Sequence, residues 1–312
     1  MLELKEILPK LNSLKARRVL IQVPEGLKTS VLEFSRALEK SGIRTFISID
    51  PCFGACDIMD REARALGCDA LLHVGHSDYG LKAALPVIYE EYRIDFDPVP
   101  LLRRHLPELK PYRRIGLATT VQHIPSLALA SSFLRKQGKR PVLGTPSRGG
   151  HPGQVLGCDY SAAKSIEPSV DCFLFLGTGT FHPLGLALEA DKPVLFLDFE
   201  STELMDLVQE KANLQKLRYA HIAKASEARN FGILVSTKPG QAHPKIAEQA
   251  REKLESLGRQ AWILVFNQLT PDKLLGLQVE ALVNTACPRI REDARQFKKP
   301  IISPEDIDLF EE

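Results

Sequence analysis

The sequence predicts an α/β protein built from three pseudo-threefold-related units, each a small, mainly parallel four-stranded sheet flanked by helices. Apolar runs that end in Gly- or Pro-containing loops alternate with helical patterns, and the same series recurs three times along the chain. The fourth run of each series is headed by a proline, and Pro86, Pro193 and Pro300 stand 107 residues apart. Strands that are apolar throughout, joined by helical crossovers, are those of parallel sheets covered on both faces.

Taken in order, strand one is predicted at RVLIQVPEG (18–26), RRIGLATTVQ (113–122) and NFGILVSTKPG (230–240). Strand two follows at RTFISIDP (44–51), RPVLGTP (140–146) and QAWILVFN (260–267), and strand three at DALLHVGH (69–76), DCFLFLGT (171–178) and EALVNTAC (280–287). LPVIYE, KPVLFL and KPIISP supply strand four. SVLEFSRALEKSG (30–42) shows apolar residues three and four apart, with Gly42 placed to end a helix. The expected units are 1–105, 106–210 and 211–312. A Pro-rich junction is expected near 96–112, a largely helical one over 200–229, and an acidic, partly solvated tail at SPEDIDLFEE.

Composition narrows the class of function. Forty-one basic and 39 acidic side chains leave a net charge of +2 over 312 residues, too little to point to nucleic acid or an anionic membrane as the main partner. The longest uncharged stretch, Ile115 to Leu134, contains Gln122, His123 and Pro125 and does not read as a membrane helix. The N-terminal segment mixes Glu and Lys among Leu without an uninterrupted apolar stretch or cleavage site, so a cytoplasmic location is expected. In that compartment six cysteines are buried thiols, metal ligands or catalytic groups rather than a disulfide framework.

Ligands of parallel sheets bind beyond the carboxyl ends of the strands. Cys68 and Cys172 fall at the start of strand three, where a thiol packs. Cys56 (FGACD) and Cys158 (VLGCD) both follow strand two, and each is followed by an aspartate, Asp57 or Asp159, suited to cap the next helix. The third series has no cysteine there, but Cys287 follows its third strand in NTACPRI. A pseudo-threefold arrangement is expected to bring Cys56, Cys158 and Cys287 to one point. Three such thiolates suit a zinc ion with a fourth ligand, from a histidine or Cys52, or an iron–sulfur cluster with one open iron. Cys52 and Cys56 have the first spacing of a Cys-x3-Cys-x2-Cys loop, but the third position is Met59, so a cluster here has to recruit thiols from distant segments.

The strings that carry these cysteines resemble the archaeal diphthamide-synthesis enzymes. FGACD (53–57), GQVLGCD (153–159) and VNTACPRI (283–290) carry the resemblance, together with VPEGL (23–27), HVGHSD (73–78), LGTGTFHPLG (176–185) and RYAHIAKASEARNFGILVSTKPGQ (218–241). It covers nearly the whole chain. The resemblance implies a [4Fe-4S] cluster held by Cys56, Cys158 and Cys287, with S-adenosylmethionine as cosubstrate at the fourth iron. It further implies radical transfer of a 3-amino-3-carboxypropyl group to a histidine of translation elongation factor 2, an external electron donor, and a homodimer.

Other residues are candidates for cofactor contact. Arg289 is placed to grip a carboxylate through two parallel hydrogen bonds. Gln154 and Glu25 lie in strand-end motifs of the resemblance. Gly177 and Gly179 open a GxGxxG-like loop whose third glycine position is His182, so the dinucleotide fingerprint is not met. These glycines let backbone amides approach a ligand or simply turn the chain, and His182, His73 and His76 are polar contacts or satisfied core histidines. The rival readings are a quinolinate synthase-like [4Fe-4S] dehydratase and condensing enzyme, which has a similar outline, and a zinc-stabilised binding protein without enzymatic activity.

Overall fold

Strand one of each series lies inside its sheet, between strands two and three. The computed structural model describes residues 4–292 and 296–310 and divides into two compact units, Met1–Val208 and Gln209–Glu312. The first unit holds two sheets. One is made of β1 (Arg18–Gln22), β2 (Arg44–Ile47), β3 (Ala70–Val74) and β4 (Val87–Glu90), in the order β2-β1-β3-β4 and parallel throughout. The other is made of β5 (Arg114–Thr119), β6 (Arg140–Val142), β7 (Cys172–Gly177), β8 (Val194–Asp198) and β9 (Leu204–Asp206), in the order β6-β5-β7-β8-β9. The second unit holds β10 (Asn230–Ser236), β11 (Gln260–Phe266), β12 (Ala281–Asn284) and β13 (Ile301–Ile302), in the order β11-β10-β12-β13, again all parallel.

The repeat extends to individual hydrogen bonds. The carbonyls of Pro86, Pro193 and Pro300 accept from the backbone N–H of Leu71, Phe173 and Leu282, at 2.9, 2.8 and 2.9 Å. A proline at the head of a strand, before its ladder on the far side begins, gives up a donor that the ladder does not need there. At the start of strand three a carboxylate accepts the two backbone N–H groups that open strand one: Asp69 from Arg17 and Arg18, Asp171 from Arg113 and Arg114, Glu280 from Arg229 and Asn230. These bonds draw the Asp69, Asp171 and Glu280 carboxyls below their ordinary pKa, that of Asp171 to about 2.

Alternate residues of each strand enter separate cores. Val19 and Ile21 pack with Val31, Phe34 and Leu38 of the helix Lys28–Lys40, whereas Leu20 and Leu71 pack with Ile58 and Ala63 on the opposite face. β7 is buried along its entire length between two such clusters, as a central parallel strand must be.

One expectation differs from what is observed. The second sheet gains β9, which pairs antiparallel with β8. Its cause is a local turn: the Asp198 carboxylate accepts from the N–H groups of Glu200 and Ser201, Thr202 adopts φ +63°, and the chain reverses. The tail is partly solvated, as expected, with Glu305, Asp308 and Leu309 exposed. Asp306 and Ile307 are fully buried in the 3₁₀ segment Pro304–Phe310, and Asp306 takes an ion pair from Arg218 of the long helix Val208–Ser226. That helix falls in the expected helical junction; residues 311–312 lie outside the described residues.

The first two expected repeats, 1–105 and 106–210, fall within Met1–Val208 except for residues 209–210. Loops tie their sheets together: Gln122 accepts from Ile94 N–H through its backbone carbonyl at 2.8 Å and donates its side-chain amide to the Gly75 carbonyl at 3.3 Å. No helix among the described residues is long and apolar enough to cross a membrane.

Candidate functional site

Cys56 is carried by the loop between β2 and the helix Asp60–Ala65, and that loop is pinned from below by the last residue of β1. Gln22 is 1% exposed; its Nε2 donates to the Asp57 carbonyl at 2.6 Å and its Oε1 accepts from Met59 N–H at 3.2 Å. The amide orientation is thereby fixed, so the His73 Nδ1 that lies 3.0 Å from the same Oε1 bears the proton. His73 Nε2 is then the acceptor for His76 Nδ1–H, 3.0 Å away. Burial holds both rings neutral, with His73 brought down to about 3, helped by the neighbouring His76, and His76 to about 4. Buried Cys52 adjoins this pair, and the three donor atoms lie within 4.8 Å of one another. His73 and His76 are thus part of the support for the Cys56 loop, with both His73 ring nitrogens and His76 Nδ1 engaged in one chain of hydrogen bonds.

Cys158 sits at the tip of a tight reversal after the segment 153–155, which runs beside the end of β5. Gly153 accepts from Thr119 N–H and Val155 donates to Thr119, each at 2.9 Å; Leu156 and Asp159 then pair antiparallel. The tip exposes the thiol. The Asp159 carboxylate accepts from Ser161 N–H at 2.8 Å at the start of the helix Ser161–Lys164, one residue before Tyr160, which holds the capping position. Asp57 does not cap its helix either, which begins at Asp60 with Met59 in the capping position.

Tyr79, in the loop after β3, contacts the Cys158 thiol. Its Oη is 3.6 Å from Cys158 Sγ and accepts a hydrogen bond from Arg148 Nη1 at 2.6 Å. Burial raises the Tyr79 pKa, as do the neighbouring thiols Cys158 and Cys56, while Arg148 opposes them. Cys56 and Cys158, presented from separate loops, therefore share one electrostatic neighbourhood within the first unit. Cys68 and Cys172 stand elsewhere, at the start of strand three; Cys172 is fully buried, and burial pushes its thiol up to about 12.

Cys287 belongs to the second unit, just beyond β12. Asn284 shapes its turn by donating Nδ2 to the Cys287 carbonyl at 2.8 Å and accepting from Ala286 N–H at 3.0 Å. The thiol residue is half-buried. Arg289 opens the short helix Arg289–Glu292 and is exposed.

The remaining candidates lie in different settings. Gln154 is 2% exposed, donates to Ser77 Oγ at 3.0 Å and accepts from His151 N–H at 3.0 Å, bracing loops from the two sheets. Glu91 completes that brace by accepting from Ser77, His151 and Arg93. Glu25 is exposed on the turn after β1 and pairs with Lys28 at 2.6 Å. Gly177 ends β7 with its carbonyl bonded to Phe199 N–H at 2.8 Å; Gly179, at φ +72° with open space where a side chain would point, makes the turn into the next helix. His182 lies in the first turn of that helix, Phe181–Glu189, its ring against Phe181. Gln22 and Tyr79 were not among the residues singled out from the sequence; the available signal for Gln22 was an amide closing an otherwise apolar strand.

Residues 23–310 match the family described as "Putative diphthamide synthesis protein". The chain belongs to the diphthamide-synthesis family. It is 39% identical over 98% of its length, and 89% of the relative's, to the 2-(3-amino-3-carboxypropyl)histidine synthase of Pyrococcus horikoshii. It is 28% identical to subunit 1 of the human enzyme of that name, over 97% of this chain and 70% of the relative. The crystal structure of Dph2 from P. horikoshii with 4Fe-4S cluster superposes with a TM-score of 0.92 at 39% identity, covering 98% of this chain and 89% of that one. The expected family and the α/β class with three mainly parallel sheets are both borne out.

Proposed function

We propose that this chain transfers a 3-amino-3-carboxypropyl group from S-adenosylmethionine to a histidine of elongation factor 2, the first step of diphthamide synthesis. The observation that carries this reading is similarity along nearly the full length to a synthase of that name, with a fold shared with a relative that holds a 4Fe-4S cluster. In this reading Cys56, Cys158 and Cys287 each ligate one iron of a [4Fe-4S] cluster. The donor chemistry of the first unit fits: Cys158 contacts Tyr79, Cys56 acts on the same phenol electrostatically from a separate strand-end loop, and thiolate is the donor such clusters take.

When bound, the cluster supplies the electron that cleaves a carbon–sulfur bond of the cosubstrate. The protein's own task is to position. Gln22 and the histidine pair fix the Cys56 loop, the Leu156–Asp159 reversal fixes Cys158, and Asn284 fixes the turn of Cys287. Arg289 holds the cosubstrate carboxylate through its planar pair of donors. Gln154, Glu25, Gly177, Gly179 and His182 complete the proposed cofactor surroundings, Gln154 by bracing and Gly179 by leaving backbone exposed. An external reductant supplies the electron to a cytoplasmic homodimer.

The test is anaerobic reconstitution with iron and sulfide, followed by dithionite, S-adenosylmethionine and elongation factor 2, with mass measurement of the factor. The expected result is a factor heavier by one 3-amino-3-carboxypropyl group, with methylthioadenosine formed in equal amount. A reducible cluster that leaves the factor unmodified, or a colourless zinc protein, overturns the reading. Cys56→Ala, Cys158→Ala and Cys287→Ala are each expected to lose the cluster's absorbance and the transfer together; a fully active Cys287→Ala protein contradicts the ligand assignment.

A further inference from the structure

Tyr79 and Arg148 form a pair aimed at one of the proposed ligand sulfurs. Tyr79 is buried, and the Arg148 guanidinium lies 5.2 Å from its ring centre as well as donating to its hydroxyl. Arginine has donors only, so the 2.6 Å contact takes up a lone pair of Tyr79 Oη and leaves the phenolic hydrogen free to point elsewhere. Cys158 Sγ, 3.6 Å away, is its partner. An iron-bound thiolate carries no proton, so in the loaded protein the direction is settled: tyrosine donates and sulfur accepts. The guanidinium polarises the O–H that makes this bond.

The approach of Arg148 is built into the backbone. A Cβ on Gly149 would lie 2.4 Å from the Asp78 carbonyl oxygen, so only glycine allows the loop after β6 to press against the residue preceding Tyr79. Residues 78 and 149 are thereby in backbone contact, and their neighbours Tyr79 and Arg148 meet.

We propose that the Tyr79–Arg148 pair raises the reduction potential of the cluster held in part by Cys158, through a hydrogen bond donated by the Tyr79 hydroxyl to the ligating sulfur. The proposal rests on the cluster reading above. Reduction adds one electron, taken from the external reductant, and hence one negative charge to the cluster and its thiolates, with no proton transferred. A donor dipole and a cation facing a ligand sulfur stabilise the more negative state, and hydrogen bonds to cluster sulfurs are one of the protein's means of setting the potential. Arg148 itself is exposed, so solvent weakens its direct charge effect, and its main contribution is to orient the phenol.

The experiment is a potentiometric titration of the anaerobically reconstituted protein, following the reduced cluster by electron paramagnetic resonance, for wild type, Tyr79→Phe and Arg148→Gln. Tyr79→Phe is expected to hold the same iron and sulfide but to show about a tenfold lower ratio of reduced to oxidised cluster at a given solution potential, a shift of about 59 mV for one electron. Arg148→Gln is expected to shift in the same direction by less. A Tyr79→Phe cluster that titrates with wild type, or one that is easier to reduce, overturns the proposal. Should Tyr79→Phe fail to retain a cluster, Arg148→Gln decides alone, and an unshifted titration there is equally fatal. Wild-type protein without any cluster removes the underlying reading as well, whereas a normal cluster of unchanged potential removes only this inference.

Discussion

Gln22 ends β1 with its side chain wholly buried and directs both ends of its amide at the loop that carries Cys56. Gln22→Ala leaves the Asp57 carbonyl, Met59 N–H and His73 Nδ1–H without this partner, and an unsatisfied buried polar group costs roughly 1–3 kcal/mol. The expected outcome is a lower melting temperature together with a lower iron content after reconstitution. Gln22→Glu is expected to fail in the same way, since a carboxylate cannot donate to the Asp57 carbonyl; an unaffected iron content in both variants removes Gln22 from the support of the site. Arg289 allows a different measurement, because it is exposed and its replacement leaves no cavity. Arg289→Ala is expected to raise the KM for S-adenosylmethionine by about tenfold or more, as loss of a charge-assisted pair does, with Arg289→Lys between the two. The strand-end cysteines were legible because the repeat gave each one an address. Gln22 and Tyr79 were not, since a single polar side chain acquires its meaning from a partner 35 or 79 residues away that only packing selects.

At the scale of the strand, the threefold carboxylate clamp is the device that sets where each sheet begins. Asp171 accepts from the backbone of Arg113 and Arg114 and also from the Arg114 guanidinium, and these bonds take its pKa to about 2. A carboxyl depressed in the folded state contributes stability that is present above its unfolded pKa, near 4, and is lost as pH falls through the folded value. Asp171→Asn keeps the shape but loses this titration. Its melting temperature is expected to be lower than wild type at pH 7, with the two converging as pH falls from about 4 towards about 2; a constant gap across that range contradicts the clamp's electrostatic role. The strands and their parallel class were readable because apolar runs joined by helical crossovers and the 107-residue proline register recur three times. β9 escaped because it is only three residues long and is created by the turn at Asp198 and Thr202, not by any apolar run of its own. The buried Asp306 escaped for a related reason: its acidic, solvent-like composition conceals the arginine that Val208–Ser226 brings to it.

At the scale of the whole molecule, the two compact units differ in how acid reaches them. Met1–Val208 contains His73, His76 and His123, all held below the ordinary histidine range by burial, the first two at about 3 and about 4. In the unfolded chain each takes up a proton near pH 6.5, whereas the folded protein does not until well below that, so the unfolded state binds more protons across the interval. The sign follows: stability from these rings is complete above about pH 6.5, declines as pH falls, and levels off below the folded values. Because His73 and His76 share a hydrogen bond and sit under the Cys56 loop, their loss is expected to loosen that loop along with the sheet. Hydrogen exchange followed by mass spectrometry at pH 7 and pH 5, corrected for intrinsic rates, checks this strand by strand. Protection of β1, β3, β5 and β7 is expected to drop more than that of β10 and β12. In a His73→Gln variant that remains folded, the pH dependence of β1 and β3 is expected to flatten. Equal losses in both units, or an unchanged pH slope in the variant, would show that acid acts through other groups and that the buried histidine chain does not set the first unit's tolerance.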